Sequence, residues 1–151
     1  HRVHRRQRQM CIRDREWAVT GGDFAGASVI STTLAYNLTP NVSVRVQGSQ
    51  VLGEFSDALH GTASVRMRPF PRWRISPWFE VGGGMLQTEP FSTIVDVQSR
   101  DNPTLGAGAG IDIKLYGDFA LTCSFRRHTV LTDRETNEEI TEWKLGIRTA
   151  F

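Results

Sequence analysis

From Phe24 to the C-terminus, apolar and polar residues alternate in segments of about ten, separated by turn-forming residues. A period of two places successive side chains on opposite faces of an extended chain, so the pattern predicts strands joined as hairpins. No segment carries the period of a long helix. The first clear strand runs from about Phe24 to Asn37, with Ile30, Leu34, Tyr36 and Leu38 on one face and Ser31, Thr33 and Asn37 on the other. Leu38-Thr-Pro-Asn41 is a turn, after which Val42, Val44 and Val46 alternate with Ser43, Arg45 and Gln47. A loop is expected across Gly53 to His60. Ala63, Val65 and Met67 then oppose Thr62, Ser64, Arg66 and Arg68, and Pro69 and Pro71 close that strand. Pro77, Phe79, Val81 and Met85 oppose Glu80, Gly82 and Gly84, before a long loop over about Gln87 to Pro103. The clearest strand sets Leu105, Ala107, Ala109, Ile111, Ile113 and Leu115 against Gly106, Gly108, Gly110, Asp112 and Lys114. Tyr116-Gly-Asp118 turns it into Phe119, Leu121, Cys123 and Phe125, opposed by Ala120, Thr122, Ser124, Arg126 and His128. After a charged loop from about Leu131 to Glu139, Trp143, Leu145, Ile147, Thr149 and Phe151 oppose Lys144, Gly146 and Arg148.

These seven strands are joined by short turns and long loops in strict alternation. In membrane barrels the periplasmic connections are short and the extracellular ones long, which puts the C-terminus on the periplasmic side. The strand at Phe24 then descends from outside, so an ascending partner must precede it, and Trp17 to Thr20 is read as its remnant. Eight strands of about ten residues with their connections need about 150 residues; the chain has 151. The expected fold is all-β: an antiparallel up-and-down transmembrane barrel of eight strands, seven of them clear and the first truncated or replaced.

Alternation alone fits a soluble lipocalin-like barrel carrying a ligand equally well. The composition of the two faces separates them. The polar face holds Gly82, Gly84, Gly106, Gly108 and Gly110, where a water-facing strand would prefer larger polar residues and a narrow lumen needs small ones. The same face holds Arg45, Arg66, Arg68, Glu80, Asp112, Lys114, Arg126, Lys144 and Arg148, with both signs available for pairing. Arg66, Arg68 and Arg126 are expected to pair with Glu80 and Asp112. Tyr36, Trp73, Tyr116, Phe119 and Phe151 fall at or near the short-turn ends, as an interfacial aromatic girdle would. Mean hydropathy is −0.31, and the longest apolar run falls far below the roughly 18 residues of a spanning helix.

The stretches PWFEVGGG from Pro77 to Gly84, GAGAG from Gly106 to Gly110 and the ending WKLGIRTAF complete a resemblance. From Phe24 to Phe151 the chain resembles the outer-membrane β-barrel domain family, similar in plan to the transmembrane domain of outer membrane protein A. The resemblance implies a location in the outer membrane of a Gram-negative bacterium and contact with its lipid and lipopolysaccharide. It also makes the ending an insertion signal, with Trp143, Leu145, Ile147 and Phe151 engaging the barrel-assembly machinery.

Formal charge is +2, but it is unevenly placed. His1 to Arg15 carries six Arg against Asp14 alone, and the remaining chain carries 12 Lys+Arg against 15 Asp+Glu. The basic stretch lacks any periodicity continuing into the body, and Met10-Cys-Ile-Arg-Asp-Arg15 resembles adaptor-derived sequence. Residues 1–15 are therefore read as a non-native or disordered basic leader rather than a nucleic-acid arm, and residues 16–151 as the barrel domain. No nucleic-acid partner is expected. Cys11 and Cys123 allow no disulfide framework and no CxxC metal site. No apolar segment of the kind found in secretory signal peptides precedes the barrel, so for an exported protein the true N-terminus is expected to have been lost or processed.

Candidate chemistry is sparse. His128, with Glu139 and Glu142 nearby, invites comparison with outer-membrane lipid A deacylases. A nucleophile two residues on would share its face, but that position is Val130, and Thr129 points the opposite way. Gly82–Gly84 and Gly106–Gly110 lie inside strands and are not phosphate loops. Glu135, Glu138, Glu139 and Glu142 lack calcium-loop spacing and read as a solvated acidic loop. No metal, cofactor or catalytic group is expected. The sequence points to a monomeric, non-enzymatic barrel with a filled lumen and a structural, adhesion or surface-interaction role. Phe91, Ile94 and Val97 in the middle loop are the candidate contact residues.

Overall fold

The computed structural model describes residues 14–53, 56–90, 100–131 and 138–151. Phe91, Ile94 and Val97 lie outside them. Eight strands follow in order: β1 Arg15–Phe24, β2 Ala27–Asn37, β3 Val42–Leu52, β4 Ser56–Met67, β5 Ile75–Pro90, β6 Arg100–Lys114, β7 Phe119–Val130 and β8 Glu138–Ala150. Each pairs antiparallel with its sequence neighbours, and β1 closes on β8 to complete an up-and-down barrel. Closure removes every sheet edge.

The first strand is complete rather than truncated. β1 pairs with β2 from Arg15 opposite Tyr36 to Phe24 opposite Ala27, and with β8 from Glu16 opposite Ala150 to Phe24 opposite Glu142. Arg15 thus belongs to the barrel and not to the leader. The segment expected as one strand from Phe24 is cut by a two-residue turn at Ala25 and Gly26. Their φ values are 54° and 88°, the positive pair that a tight hairpin of this length demands. The Asp23 carboxylate accepts the Gly26 N–H at 3.0 Å and holds the turn.

Connection lengths also depart from strict alternation. At the end holding both chain ends they are Leu38–Asn41, Arg68–Arg74 and Leu115–Asp118; at the other they are Ala25–Gly26, 53–55, 91–99 and 131–137. Residues expected in the long loops are absorbed into strands, because β4 begins at Ser56, β5 runs to Pro90, β6 begins at Arg100 and β8 at Glu138.

That extension coincides with a change of phase along the strands. Through most of the barrel the outward side chains are apolar, among them Val19, Ile30, Leu34, Val46, Val65, Val81, Leu105, Phe125 and Leu145, while Ser31, Thr33, Arg45, Gln47, Arg66, Glu80 and Lys144 are buried inside. Toward the end carrying the Ala25–Gly26 turn the order reverses. Phe24, Val29, Val51, Leu86 and Val130 point inward and are buried, while Ser28, Gln50 and Glu139 are exposed. Adjacent Val29 and Ile30 mark the switch on β2, one facing in and the next facing out. Water-facing sheets are polar outside and apolar inside, and lipid-facing barrels the reverse.

The lumen is narrow enough for glycine to act as its floor. A Cβ on Gly110 would run into the Trp78 indole and the Cys123 carbonyl, one on Gly108 into Arg126, and one on Gly106 into the His128 ring. Each glycine of the GAGAG run therefore lets a large side chain from its paired residue lie across β6.

Candidate functional site: a charged lumen beneath an apolar cap

The lumen is filled in three layers. The middle one centres on Glu80 of β5. Arg66, directly opposite on β4, donates through Nε to Oε2 at 3.0 Å. Arg45 of β3 reaches the same oxygen at 2.9 Å, and Arg126 of β7 reaches Oε1 at 2.8 Å from across the barrel. Ser64 donates to Oε1 at 2.8 Å. Alternation makes all of these residues inward-facing, and the register brings them to one height.

Toward the end holding the termini, Glu16 takes Arg68 at 2.6 Å and Arg148 at 2.7 Å, with the Asn37 amide donating at 3.1 Å. Asp112 lies 3.8 Å from Arg66 and 3.6 Å from Arg148, and accepts the Trp78 indole N–H at 3.2 Å. Trp78 is fully buried, with the Arg66 guanidinium 3.4 Å from its ring centroid, a cation–π geometry. At the opposite end Glu142 sits 2.6 Å from Lys144, 3.3 Å from His128 Nε2 and 3.8 Å from Arg126. Above it His60 and His128 meet edge to face at 5.0 Å, and Phe24 packs on them at 5.5 and 6.1 Å. Phe24, Val29, Val51 and Leu86 cluster there with Ala27, Ala58 and Ile140 packed against them, capping the charged interior with hydrocarbon.

Of the residues expected in the lumen, Arg45, Arg66, Glu80, Asp112, Arg126, Lys144 and Arg148 all lie within it, buried. Two positions are corrected. Arg68 pairs with Glu16 instead of Glu80 or Asp112, because it lies nearer the chain-terminal end. Lys114 is exposed: β6 ends there, and its ammonium turns to the Pro71 carbonyl at 2.8 Å. A long aliphatic stem lets lysine reach polar surroundings from such a rim.

The sequence reading did not place Glu142, Glu16, His60 or Trp78 in the lumen. Glu142, assigned to a solvated acidic loop, is buried with its carboxylate among three basic groups. Glu16, His60 and Trp78 are likewise inside. The signal for Glu142 was parity, since it shares a face with Lys144 and Arg148. His128 faces Glu142 and the His60 ring in the interior, and inward-facing Val130 brings no hydroxyl to it. The C-terminal residues Trp143, Leu145, Ile147 and Phe151 all face outward. Trp17, Tyr36, Phe70, Trp73, Tyr116, Phe119 and Phe151 ring the end holding the termini, with Phe70 and Trp73 stacked at 4.2 Å.

No protein-family model matches the chain, and no curated protein does. Solved structures do match. The N-terminal β-barrel domain of Pseudomonas aeruginosa OprF superimposes with a TM-score of 0.75 at 16% identity, covering 91% of this chain and 96% of that one. Neisserial surface protein A gives 0.71 at 12% identity, covering 91% and 94%. The outer membrane enzyme PagL gives 0.53 at 14% identity, covering 90% and 99%. The fold is that of the eight-stranded outer-membrane β-barrels.

Proposed function

We propose that this protein is a non-enzymatic barrel of a Gram-negative outer membrane, held by lipid and lipopolysaccharide, with a closed lumen and a structural or surface-interaction role. The observation that carries this reading is the inverted distribution of polarity. Val46 is 61% exposed and Val81 63%, while Arg66 is 2% and Asp112 0% exposed. A water-soluble barrel would expose its charges and bury its valines. The aromatic ring at one end gives the apolar band an interfacial edge, and the phase change gives it the other.

In this reading the end with the termini is periplasmic, and the opposite end projects outward with its connections at 25–26, 53–55, 91–99 and 131–137 available to partners. The outward row of Trp143, Leu145, Ile147 and Phe151 is the surface offered to the barrel-assembly machinery, and the barrel acts as a monomer. PagL shows that an enzyme can use this fold, and fold alone does not assign activity. Here the histidine that invited a hydrolase is enclosed beneath the apolar cap.

The test is to refold the chain from denaturant with and without detergent micelles, comparing circular dichroism and the gel mobility of unboiled and boiled samples. A β spectrum and heat-sensitive mobility only with detergent are expected. A monomeric β fold in plain buffer would overturn the membrane reading.

A further inference from the structure

The three turns at the end holding the termini differ in charge. Leu38–Asn41 has no charged side chain and Leu115–Asp118 has one carboxylate, whereas Arg68–Arg74 reads RPFPRWR. Arg68 points into the lumen to Glu16, but Arg72 and Arg74 are exposed. Lys114 joins them from the end of β6, its ammonium on the Pro71 carbonyl at 2.8 Å. Among the described residues no ion pair takes in Arg72, Arg74 or Lys114. One turn thus gathers three cations without a counter-charge.

The same turn is tied down along its backbone. Proline fixes φ at positions 69 and 71. The Asn41 amide donates to the Arg68 and Pro69 carbonyls at 2.8 and 3.2 Å. The Phe70 carbonyl accepts the Trp73 N–H at 3.2 Å and the Ser76 hydroxyl at 2.9 Å, and the Arg74 carbonyl accepts the Lys114 N–H at 2.9 Å. What this fixed loop offers outward, besides its cations, is the Phe70 and Trp73 rings, both exposed and stacked within 13° of parallel. The loop adjoins the apolar band, since exposed Met67 ends β4 and exposed Ile75 begins β5. Aromatic rings and cations at the edge of hydrocarbon match a lipid whose headgroup is negative and whose acyl chains run along the wall.

We propose that the Arg68–Arg74 turn is an interaction surface for anionic phospholipid of the periplasmic leaflet. Arg72, Arg74 and Lys114 take headgroup phosphate oxygens, and the Phe70–Trp73 pair packs against the first carbons of the acyl chains. Arginine suits such phosphates because its planar fork donates two parallel N–H bonds. A zwitterionic lipid carries its own cation beside the phosphate and gains less there. The inference rests on the membrane reading above, in which this end faces the periplasm.

Trp73 can report the lipid beside it. The chain has four tryptophans, of which Trp17 and Trp143 face outward and Trp78 is buried, so with Trp17→Phe and Trp143→Phe only Trp73 meets lipid. The full chain carrying both is refolded into phosphatidylcholine vesicles containing increasing fractions of a bromine-labelled lipid, which quenches indole fluorescence on contact. Half-maximal quenching is expected at a roughly fivefold lower fraction of brominated phosphatidylglycerol than of brominated phosphatidylcholine, about the factor one basic residue gains at an anionic surface. Adding Arg72→Gln and Arg74→Gln should bring the two lipids to within about twofold of each other. Heat-sensitive gel mobility of the same samples reads insertion of the barrel. A chain that never acquires it overturns the membrane reading, and the lipid surface with it. An inserted barrel quenched equally by the two lipids overturns the proposal alone, as does a preference that survives both arginine substitutions and so arises elsewhere in the chain.

Discussion

Glu80 accepts from guanidiniums carried on β3, β4 and β7, so one side chain ties together strands that do not all touch. Removing it would leave Arg45, Arg66 and Arg126 facing one another in a space closed to water. Glu80→Ala is expected to destabilise the barrel by about 3–5 kcal/mol, measured by urea unfolding in micelles, and Glu80→Gln by less because hydrogen bonding survives. Stability equal to wild type in Glu80→Ala would remove the layered network from the account. That Glu80 faces the lumen was legible, since strand parity dictates it. Its pairing with Arg66 and Arg126 was expected and is found; Arg45 was not among the expected partners, because it lies 35 residues away and parity says nothing about height. Arg68 illustrates the difference: correct in face, it pairs with Glu16 at another level. Trp78 was missed for a separate reason, its neighbours Pro77 and Phe79 having drawn the apolar face outward. Only the bare backbone of Gly110 gives its indole room.

Strands β4 to β8 are longer than the roughly 9–11 residues that a membrane span requires, and on β1, β2, β3, β5 and β8 the phase change separates a lipid-facing from a projecting part. β3 contains both on its outer face, with Val46 in the apolar band and Gln50 beyond it. Val46→Arg is expected to destabilise the barrel in lipid vesicles by about 2–4 kcal/mol, and Gln50→Arg by about 0–1 kcal/mol, following the depth dependence of charges on a barrel exterior. Equal effects at the two sites would place the membrane boundary elsewhere. The same division explains what alternation could and could not show. Seven strands were visible because their lower parts contrast apolar with polar. β1 was read as a remnant because the contrast fades early: Gly21 and Asp23 face outward while Phe24 faces in. Its turn is also poorly marked, Ala25 occupying a positive φ that Gly, Asn or Asp would signal. Where alternation reversed, as at Glu139–Ile140, polar outward residues read as loop.

At the scale of the molecule, β1 and β8 are the closing pair, so the barrel is complete only from Asp14 onward: the Asp14 carbonyl accepts the Asn37 N–H, and the Arg15 carbonyl accepts the Phe151 N–H. A chain beginning at Asp14 is expected to refold with the same heat-sensitive mobility as the full chain. One beginning at Ala25 should lose that mobility, since β2 and β8 would be left as open edges. Closure of the wall also bears on conduction. An ion entering from the end with the termini meets Glu16 with Arg68 and Arg148, then the Glu80 cluster, then Glu142 beneath Phe24, Val29, Val51 and Leu86. Eight strands leave a bore just wide enough for such side chains. No steady current is therefore expected when the protein is incorporated into a planar bilayer. Phe24→Ala should remain silent as well, because it opens only the hydrocarbon cap and leaves the three charged layers in place. Steady conductance in the wild type would show that the layers separate in the membrane. Conductance only in Phe24→Ala would instead make the cap the barrier and the charged layers permeable.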